Sequence, residues 1–137
     1  MKKVGYLLMF LIGFILGIIQ SFIGFIAFLV LVDNPHYFYK GCIVTIVPGR
    51  WGGISVGNFL FLDEYISKED ADTSKFLRHE YGHYLQHLIL GPLYCFIILL
   101  PSLCWAGFGF NYGIKHGMSY YDFYTERLAD KLGGVKR

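Results

Sequence analysis

Residues 79–83 read His-Glu-Tyr-Gly-His, at the centre of the stretch TSKFLRHEYGHYLQHLILGP that occupies positions 73–92. This stretch predicts a helix over 73–90 that ends at Gly91-Pro92, because proline cannot continue a helix and glycine favours its end. The preceding run, 67–72, is polar and acidic, which suits the partial positive charge of a helix N-terminus.

The HExxH pattern within this helix predicts a metal site. Residues four apart lie on one helical face, so the imidazoles of His79 and His83 can bind the same Zn²⁺ ion. Glu80 lies beside the first ligand, where its carboxylate can take a proton from a water that the metal activates.

A catalytic zinc site needs three protein ligands and one open position, so a third ligand must come from elsewhere. The metzincin pattern would place glycine and histidine where this chain has Gln86 and Ile89, which excludes that subclass. His87 continues the same helix, but three ligands from one straight helix fit a tetrahedral ion poorly.

A better third ligand lies downstream in the sequence ERLAD, where Glu126 and Asp130 are four residues apart. Both lie on one face of a helix predicted over 120–132, which ends at Gly133-Gly134. Glu126 is the candidate ligand, and Asp130 can accept a hydrogen bond from a ligand imidazole. The alternative is a solvated acidic face that pairs with the basic residues of the same helix.

HEYGH followed by ExxAD on a later helix resembles the gluzincin class of zinc metallopeptidases, most closely the membrane-bound HtpX and CAAX prenyl protease type. The resemblance implies a zincin-like fold, a Zn²⁺ cofactor and hydrolysis of peptide bonds. Carried over by position, it implies His79, His83 and Glu126 as ligands, Glu80 as general base and Asp130 as the partner of a ligand imidazole.

The same resemblance implies that the strand before the metal helix aligns the peptide substrate by strand addition. Residues 54–62 would supply that strand, and the expected substrate-binding residues are Ile54, Val56, Asn58 and Phe59.

Peptide hydrolysis also needs a group that stabilises the oxyanion of the tetrahedral intermediate. His116 and Tyr121 are candidates because they shortly precede Glu126 in the chain. The alternative is that this tyrosine-rich segment packs in the core or at a membrane interface. The serine and cysteine residues lie in no nucleophile motif, so the sequence gives little support to serine or cysteine catalysis.

The composition favours a membrane protein of one domain. The chain has 137 residues, of which 55% are hydrophobic and only 16% are charged, and its mean hydropathy is +0.46. This excludes a disordered chain, and a net charge of +2 gives no reason to expect nucleic acid as a partner. Three cysteines without a CxxC pair predict neither a disulfide framework nor a cysteine-rich metal site.

Residues 4–32 carry no charge, and a helix needs roughly 20 apolar residues to cross a bilayer. The sequence therefore predicts a retained transmembrane anchor over 1–33, with a cytoplasmic N-terminus because Lys2 and Lys3 precede it. The alternative, which folds the run at Gln20-Ser21 into two short arms, lacks a strong helix breaker.

A second uncharged run covers 88–114, but Gly91-Pro92 and Pro101-Ser102 interrupt it. Since the ligands before and after this run must meet around one metal ion, it cannot be a simple span. It is expected to form a membrane-associated hairpin, or to pack across the catalytic domain, and to return to the same side. With one N-terminal span, the site would then lie outside the cytoplasm.

Two apolar runs, 41–47 and 54–62, predict strands, and the turn formers of 48–53 favour a hairpin with a long loop between them. The expected fold class is a mainly α membrane protein with a small β-hairpin or sheet. A minimal zincin-like catalytic domain, 34–137, would follow the N-terminal transmembrane helix.

These features predict a membrane-anchored zinc metallopeptidase that acts on a peptide or protein at or near the lipid bilayer. One rival is a non-enzymatic membrane protein in which a metal is structural or absent. Another is a zinc hydrolase of a non-peptide substrate.

Overall fold

The computed structural model describes residues 2–66 and 74–137; the acidic run 67–72 and the expected helix start at Thr73 lie outside them. The described chain forms a mainly helical fold with one small sheet, as predicted. Its helices are α1 (Lys2–Leu16), α2 (Ile18–Val30), α3 (Lys75–Leu90), α4 (Cys95–Lys115) and α5 (Tyr124–Gly133). Its strands are β1 (His36–Tyr39), β2 (Cys42–Val47), β3 (Gly53–Val56) and β4 (Phe59–Asp63).

The sheet is mixed and has the strand order β1-β2-β4-β3, in which β2 and β4 are parallel and the two outer pairs are antiparallel. The predicted hairpin between 41–47 and 54–62 is therefore wrong. The second run instead folds back on itself through Gly57, which has a positive φ of +61° and touches Ser21 so closely that a side chain would not fit. β1 was not predicted.

Helices cover both faces of the sheet. Leu60 and Leu62 of β4 pack with Leu77 and Tyr84 of α3 in the hydrophobic core. Phe59 points the other way, where its ring contacts phenylalanines of α1 and α2. Because β4 is buried on both faces, it is apolar throughout except at Asp63.

The run 4–32 does not form one straight helix. It folds into two arms, as in the alternative to a straight anchor, because α1 and α2 are bent by 111° at the break between them, although the break does not fall at Gln20-Ser21. The break falls at Gly17, where a Cβ atom would lie 2.1 Å from Cε1 of His87. The amide nitrogen of Gln20 donates to Nδ1 of His87 (3.1 Å) and to the carbonyl of Gly91 (2.6 Å). These contacts with the end of α3, which sequence patterning does not show, force the chain to turn.

The predicted hairpin over 88–114 is also wrong, since α4 runs without a break through Pro101. Pro101 leaves the carbonyl of Ile97 without its usual helical donor, and the hydroxyl of Tyr124 donates to that carbonyl instead (2.6 Å). The turn just before the proline, Cys95–Leu99, is a wide π turn. Within 2–66 and 74–137, α4 is the one unbent helix long and apolar enough to cross a membrane.

After α4 the chain turns back, and α5 packs antiparallel to α3. The side-chain amide of Gln86 donates to the carbonyl of Thr125 (3.0 Å), and Arg78 contacts the carbonyls at the end of α5. α5 begins four residues later than predicted and ends at Gly134, a left-handed C-cap. α5 thus returns to pack along α3, so that the two helices that carry the predicted ligands lie side by side.

Candidate metal centre

Three side chains from two helices converge on one point. Nε2 of His79 lies 3.1 Å from Oε2 of Glu126, and Nε2 of His83 lies 3.4 Å from the same oxygen. The three ligand atoms lie within 4.8 Å of one another, and all three residues are buried. In the described part of the chain, this is the group of side chains that can hold a metal ion.

The opposite nitrogen of each imidazole is occupied, which fixes the ring. Nδ1 of His79 donates to Oδ1 of Asp130 (2.7 Å), and Nδ1 of His83 donates to Oε1 of Gln86 (2.7 Å). Arg137 in turn donates to both oxygens of Asp130 (2.6 and 3.1 Å). Both Nε2 atoms therefore face Glu126, as metal-binding histidines require.

Two hydroxyl groups orient the carboxylate of Glu126. Thr125 donates to Oε1 (2.9 Å), and Ser102 of α4 donates to the same oxygen. Oε1 is thereby occupied, and Oε2 is left to face the imidazoles. Sequence reasoning missed Ser102, because the Pro101-Ser102 pair predicts an interruption of the apolar run and no place in the site.

The charges in this cluster shift its pKa values in the sense expected for ion pairing. Burial alone would raise the pKa of Glu126, but the hydrogen bonds from His79 and His83 lower it well below its usual range. Burial would lower the pKa of His79, but its contacts with Glu126, Glu80 and Asp130 raise it to about 9. Both shifts reflect the pairing of the buried imidazoles with the carboxylates around them.

Glu80 lies at the rim of the cluster. It is 4% exposed, its Oε2 has no hydrogen-bond partner among the described residues, and burial raises the pKa of its carboxyl group. A buried carboxylate oxygen without a partner is costly unless a ligand or water meets it. Gly53 of β3 leaves room for this side chain, since a Cβ there would lie 3.1 Å from Glu80 Oε1.

A cavity of about 470 Å³ opens beside the cluster, between β3, α3 and α4. Its floor carries His79, Glu80, His83 and Glu126, and its remaining wall is mostly apolar and aromatic. The larger apolar residues are Trp51, Ile54, Phe76, Leu99, Leu103 and Phe110.

The structure brings most of the predicted site residues together. Tyr121 also lies at the site, with its ring edge-to-face to His79 at 5.3 Å between centroids, and Ile54 lines the cavity.

Four predicted site residues lie elsewhere. His116 is exposed beyond the end of α4, where it stacks on Tyr112 and bonds its carbonyl. Asn58 bonds His87 and the carbonyl of Phe10, while Phe59 and Val56 do not line the cavity either. The reason is the turn at residue 57, which restricts the strand beside the cavity to β3.

No family model, curated protein or solved structure matches the chain. The gluzincin resemblance therefore stays a prediction that rests on the two motifs, and the site is interpreted from its own geometry.

The distance between α3 and α5 is set by main-chain contact. A Cβ at Gly82 would lie 1.9 Å from the carbonyl oxygen of Ala129, and one at Gly133 would lie 1.9 Å from the carbonyl oxygen of Arg78. The two backbones touch here, and this brings Glu126 within reach of both imidazoles.

The residues present fit a divalent metal ion. Two imidazole nitrogens and one carboxylate oxygen converge from rigid helices, their remaining polar atoms are bonded, and a cavity adjoins the open side. The group offers three protein donors, whereas closed structural zinc sites have four, and the cavity adjoins it.

Proposed function

We propose that the protein is a membrane-associated zinc metallopeptidase with His79, His83 and Glu126 as metal ligands and Glu80 as general base. The observation that carries the proposal is the convergence of the three ligand atoms beside a buried, unpartnered carboxylate at the floor of a cavity. Zinc held there would supply a Lewis acid that lowers the pKa of water to about 7.

The chain's own residues would do the rest of the chemistry. Glu80 takes the proton of the attacking water and passes it to the leaving amine, a role for which its raised pKa is suited. Asp130 and Gln86 keep the imidazoles in the ligating tautomer. The hydroxyl of Tyr121, the predicted candidate that lies at the site, is proposed to stabilise the oxyanion.

β3 is proposed to hold the substrate. It is one of the two edge strands of the sheet, and Gly53, Ile54 and Ser55 line the cavity next to Glu80. An extended peptide that added to this strand would present its carbonyl groups to the metal side of the cavity. The apolar wall formed by α4 favours substrates with large apolar side chains.

Membrane association rests on the outer surfaces of the helices. Large apolar side chains of α1, α2 and α4 are exposed, among them Val4 (71%), Ile15 (73%) and Phe108 (83%). Soluble monomers rarely expose apolar patches of this extent. The predicted location of the site outside the cytoplasm requires one N-terminal span and stays a prediction.

The test uses the full-length protein in detergent micelles. We expect about one tightly bound zinc per chain and cleavage of unfolded, apolar polypeptides, with both properties lost on chelation. Glu80→Gln should keep the zinc and the fold but lower the cleavage rate by at least about 100-fold, since a general base contributes 10²–10⁴. The matched control is Glu64→Gln, the same change at an exposed glutamate outside the cavity.

The outcomes separate the rival functions. Stoichiometric zinc without cleavage of any peptide would contradict the peptidase proposal. It would favour a structural metal or, if another amide or ester is cleaved, a different hydrolase. Equal cleavage by wild type and Glu80→Gln would show that Glu80 is not the base.

A further inference from the structure

The outer surface of the bent helix pair is a continuous apolar plate. α1 and α2 lie on the sheet through Phe10, Phe25 and Phe28, which contact Phe59. Their opposite sides carry exposed Leu, Ile, Phe and Val side chains along their whole length. Since residues 4–32 are uncharged, lipid is the occupant that this plate fits.

Neither arm of the pair can cross a bilayer by itself. α1 has 15 residues and α2 has 13, which gives lengths of about 22 and 20 Å against a hydrocarbon core of about 30 Å. The 111° bend cannot straighten without breaking the buried contacts of Gln20 with His87 and Gly91. A pair of this shape can therefore enter the bilayer only from one side.

α4 is long enough to span, at about 31 Å for 21 residues, but the chain that follows it prevents a crossing. This segment runs back along α4 towards the start of that helix. The main-chain N–H of Met118 donates to the carbonyl of Gly113, and the carbonyl of Tyr120 accepts from the indole N–H of Trp105. Tyr124 then reaches the carbonyl of Ile97. A segment of turns and one short 3₁₀ helix, Tyr120–Asp122, thus runs beside most of α4.

The returning segment is unsuited to a lipid environment. Residues 116–119 and Asp122 are exposed, and exposed irregular backbone does not occur in the hydrocarbon region because its polar groups have no partners there. If α4 crossed the bilayer, this segment would have to cross beside it. Only the outer, apolar side of α4 can therefore meet lipid, through residues such as Phe96 and Phe108.

We propose that the protein inserts into one leaflet through the outer faces of α1, α2 and α4, and that no described helix crosses the membrane. Lys2 and Lys3 at the start of α1 and Lys115 at the end of α4 flank these faces and fit anionic headgroups. The N-terminus, the sheet and the metal centre then lie on the same side of the membrane. This differs from the sequence-based expectation, which placed an N-terminal span between the chain start and the site.

Single cysteines test this arrangement in the full chain. Cys95 and Cys104 are replaced by alanine, while the fully buried Cys42 is kept. One cysteine is then placed at Lys3, Asn34, Lys115 or Lys136, which are the ends of the apolar segments and the C-terminal tail. Right-side-out and inverted vesicles from the expressing cells are treated with a membrane-impermeant maleimide.

One-sided insertion predicts that all four positions react in the same type of vesicle and are protected in the other. Opposite labelling of Lys3→Cys and Asn34→Cys would show that α1–α2 spans, and opposite labelling of Asn34→Cys and Lys115→Cys would show that α4 spans. Either result overturns the proposal, as does release of the protein from the vesicles by alkaline carbonate. Phe108→Cys, a lipid-facing control, should react only after detergent is added.

This inference is independent of catalysis and can be judged separately. Zinc content and peptide cleavage are measured on the same preparations. A protein that inserts from one side but cleaves nothing contradicts only the proposed function, and an active protein with a true span contradicts only the insertion proposal.

Discussion

α3 carries three buried histidines that lie in two different chemical environments. His79 and His83 face carboxylates, and the pKa of His79 is raised to about 9. His87, one turn further on, faces only neutral groups: Nδ1 accepts from Gln20 (3.1 Å) and Nε2 donates to Asn58 (3.1 Å). Burial lowers its pKa to about 4. The same residue type on one helix is therefore a candidate metal ligand at positions 79 and 83 and a neutral structural contact at position 87.

The difference shows that the partners, rather than the histidines, determine the chemistry. An amide on each nitrogen satisfies an imidazole completely and leaves no lone pair for a metal. An acceptor on Nδ1 alone leaves Nε2 free to coordinate; that acceptor is the carboxylate of Asp130 for His79 and the amide oxygen of Gln86 for His83. The following changes test this contrast, in order of decreasing expected effect.

Alanine substitutions at His83 and at His87 should separate metal binding from the stability of the fold. His83→Ala should weaken zinc binding by more than about 100-fold, since even the partners of ligands are worth 10- to 100-fold. His87→Ala should keep stoichiometric zinc but lower the free energy of unfolding by about 2–4 kcal/mol, because Gln20 and Asn58 lose their partner. Zinc titration and chemical unfolding in micelles measure the two effects. Loss of zinc in a folded His87→Ala protein would mean that His87 is a ligand.

We expect low pH to reduce the free energy of unfolding through protonation of His87. The unfolded chain takes up a proton there near pH 6.5, whereas the folded chain resists it down to about pH 4. The contribution of the neutral His87 to the free energy of unfolding is thus fully present above pH 6.5. It is lost as the pH falls towards 4, by on the order of 3 kcal/mol at most. Tyr84 and Tyr94 are the titratable groups whose rings face it. Unfolding curves of His87→Gln should not show this decrease in the free energy of unfolding between pH 6.5 and 4. A pH profile equal to that of wild type would contradict the role given to His87.

Asp130→Asn should weaken zinc binding by about 10- to 100-fold, because the amide can no longer hold the Nδ1 proton of His79 as a carboxylate does. The matched control is Asp122→Asn, the same change at an exposed aspartate that caps a short turn. Equal zinc affinity of the two variants would show that Asp130 does not support the ligand.

Ser102→Ala should have the smallest effect, a weakening of metal binding by about three- to tenfold, in line with one lost hydrogen bond. The visible spectrum of the Co²⁺-substituted protein should also change, because Oε1 of Glu126 then keeps only the hydrogen bond from Thr125. Ser119→Ala is the control away from the metal. An unchanged spectrum and affinity would leave Ser102 with a packing role only.

The sequence predicts the metal centre better than the fold around it. HExxH and ExxAD are local patterns with helical spacing, so their geometry follows from the helix alone once two helices pack together. The small sheet and the helical ends also follow from local turn and capping residues, such as Gly134.

The sequence-based predictions fail where contacts between distant residues determine whether a helix breaks. The first apolar run breaks at Gly17, where a Cβ would collide with the side chains of His87 and Gln20. Pro101 fails to break the second because a distant tyrosine supplies the missing donor. Neither partner can be recognised from spacing along the chain.

The main-chain contact between Gly82 and Ala129 fixes the distance between the two helices that carry the candidate metal ligands. A single methyl group at position 82 would act as a spacer and push the helix that carries Glu126 outwards. Metal affinity in this protein is therefore open to control by substitutions that touch no ligand and alter no charge.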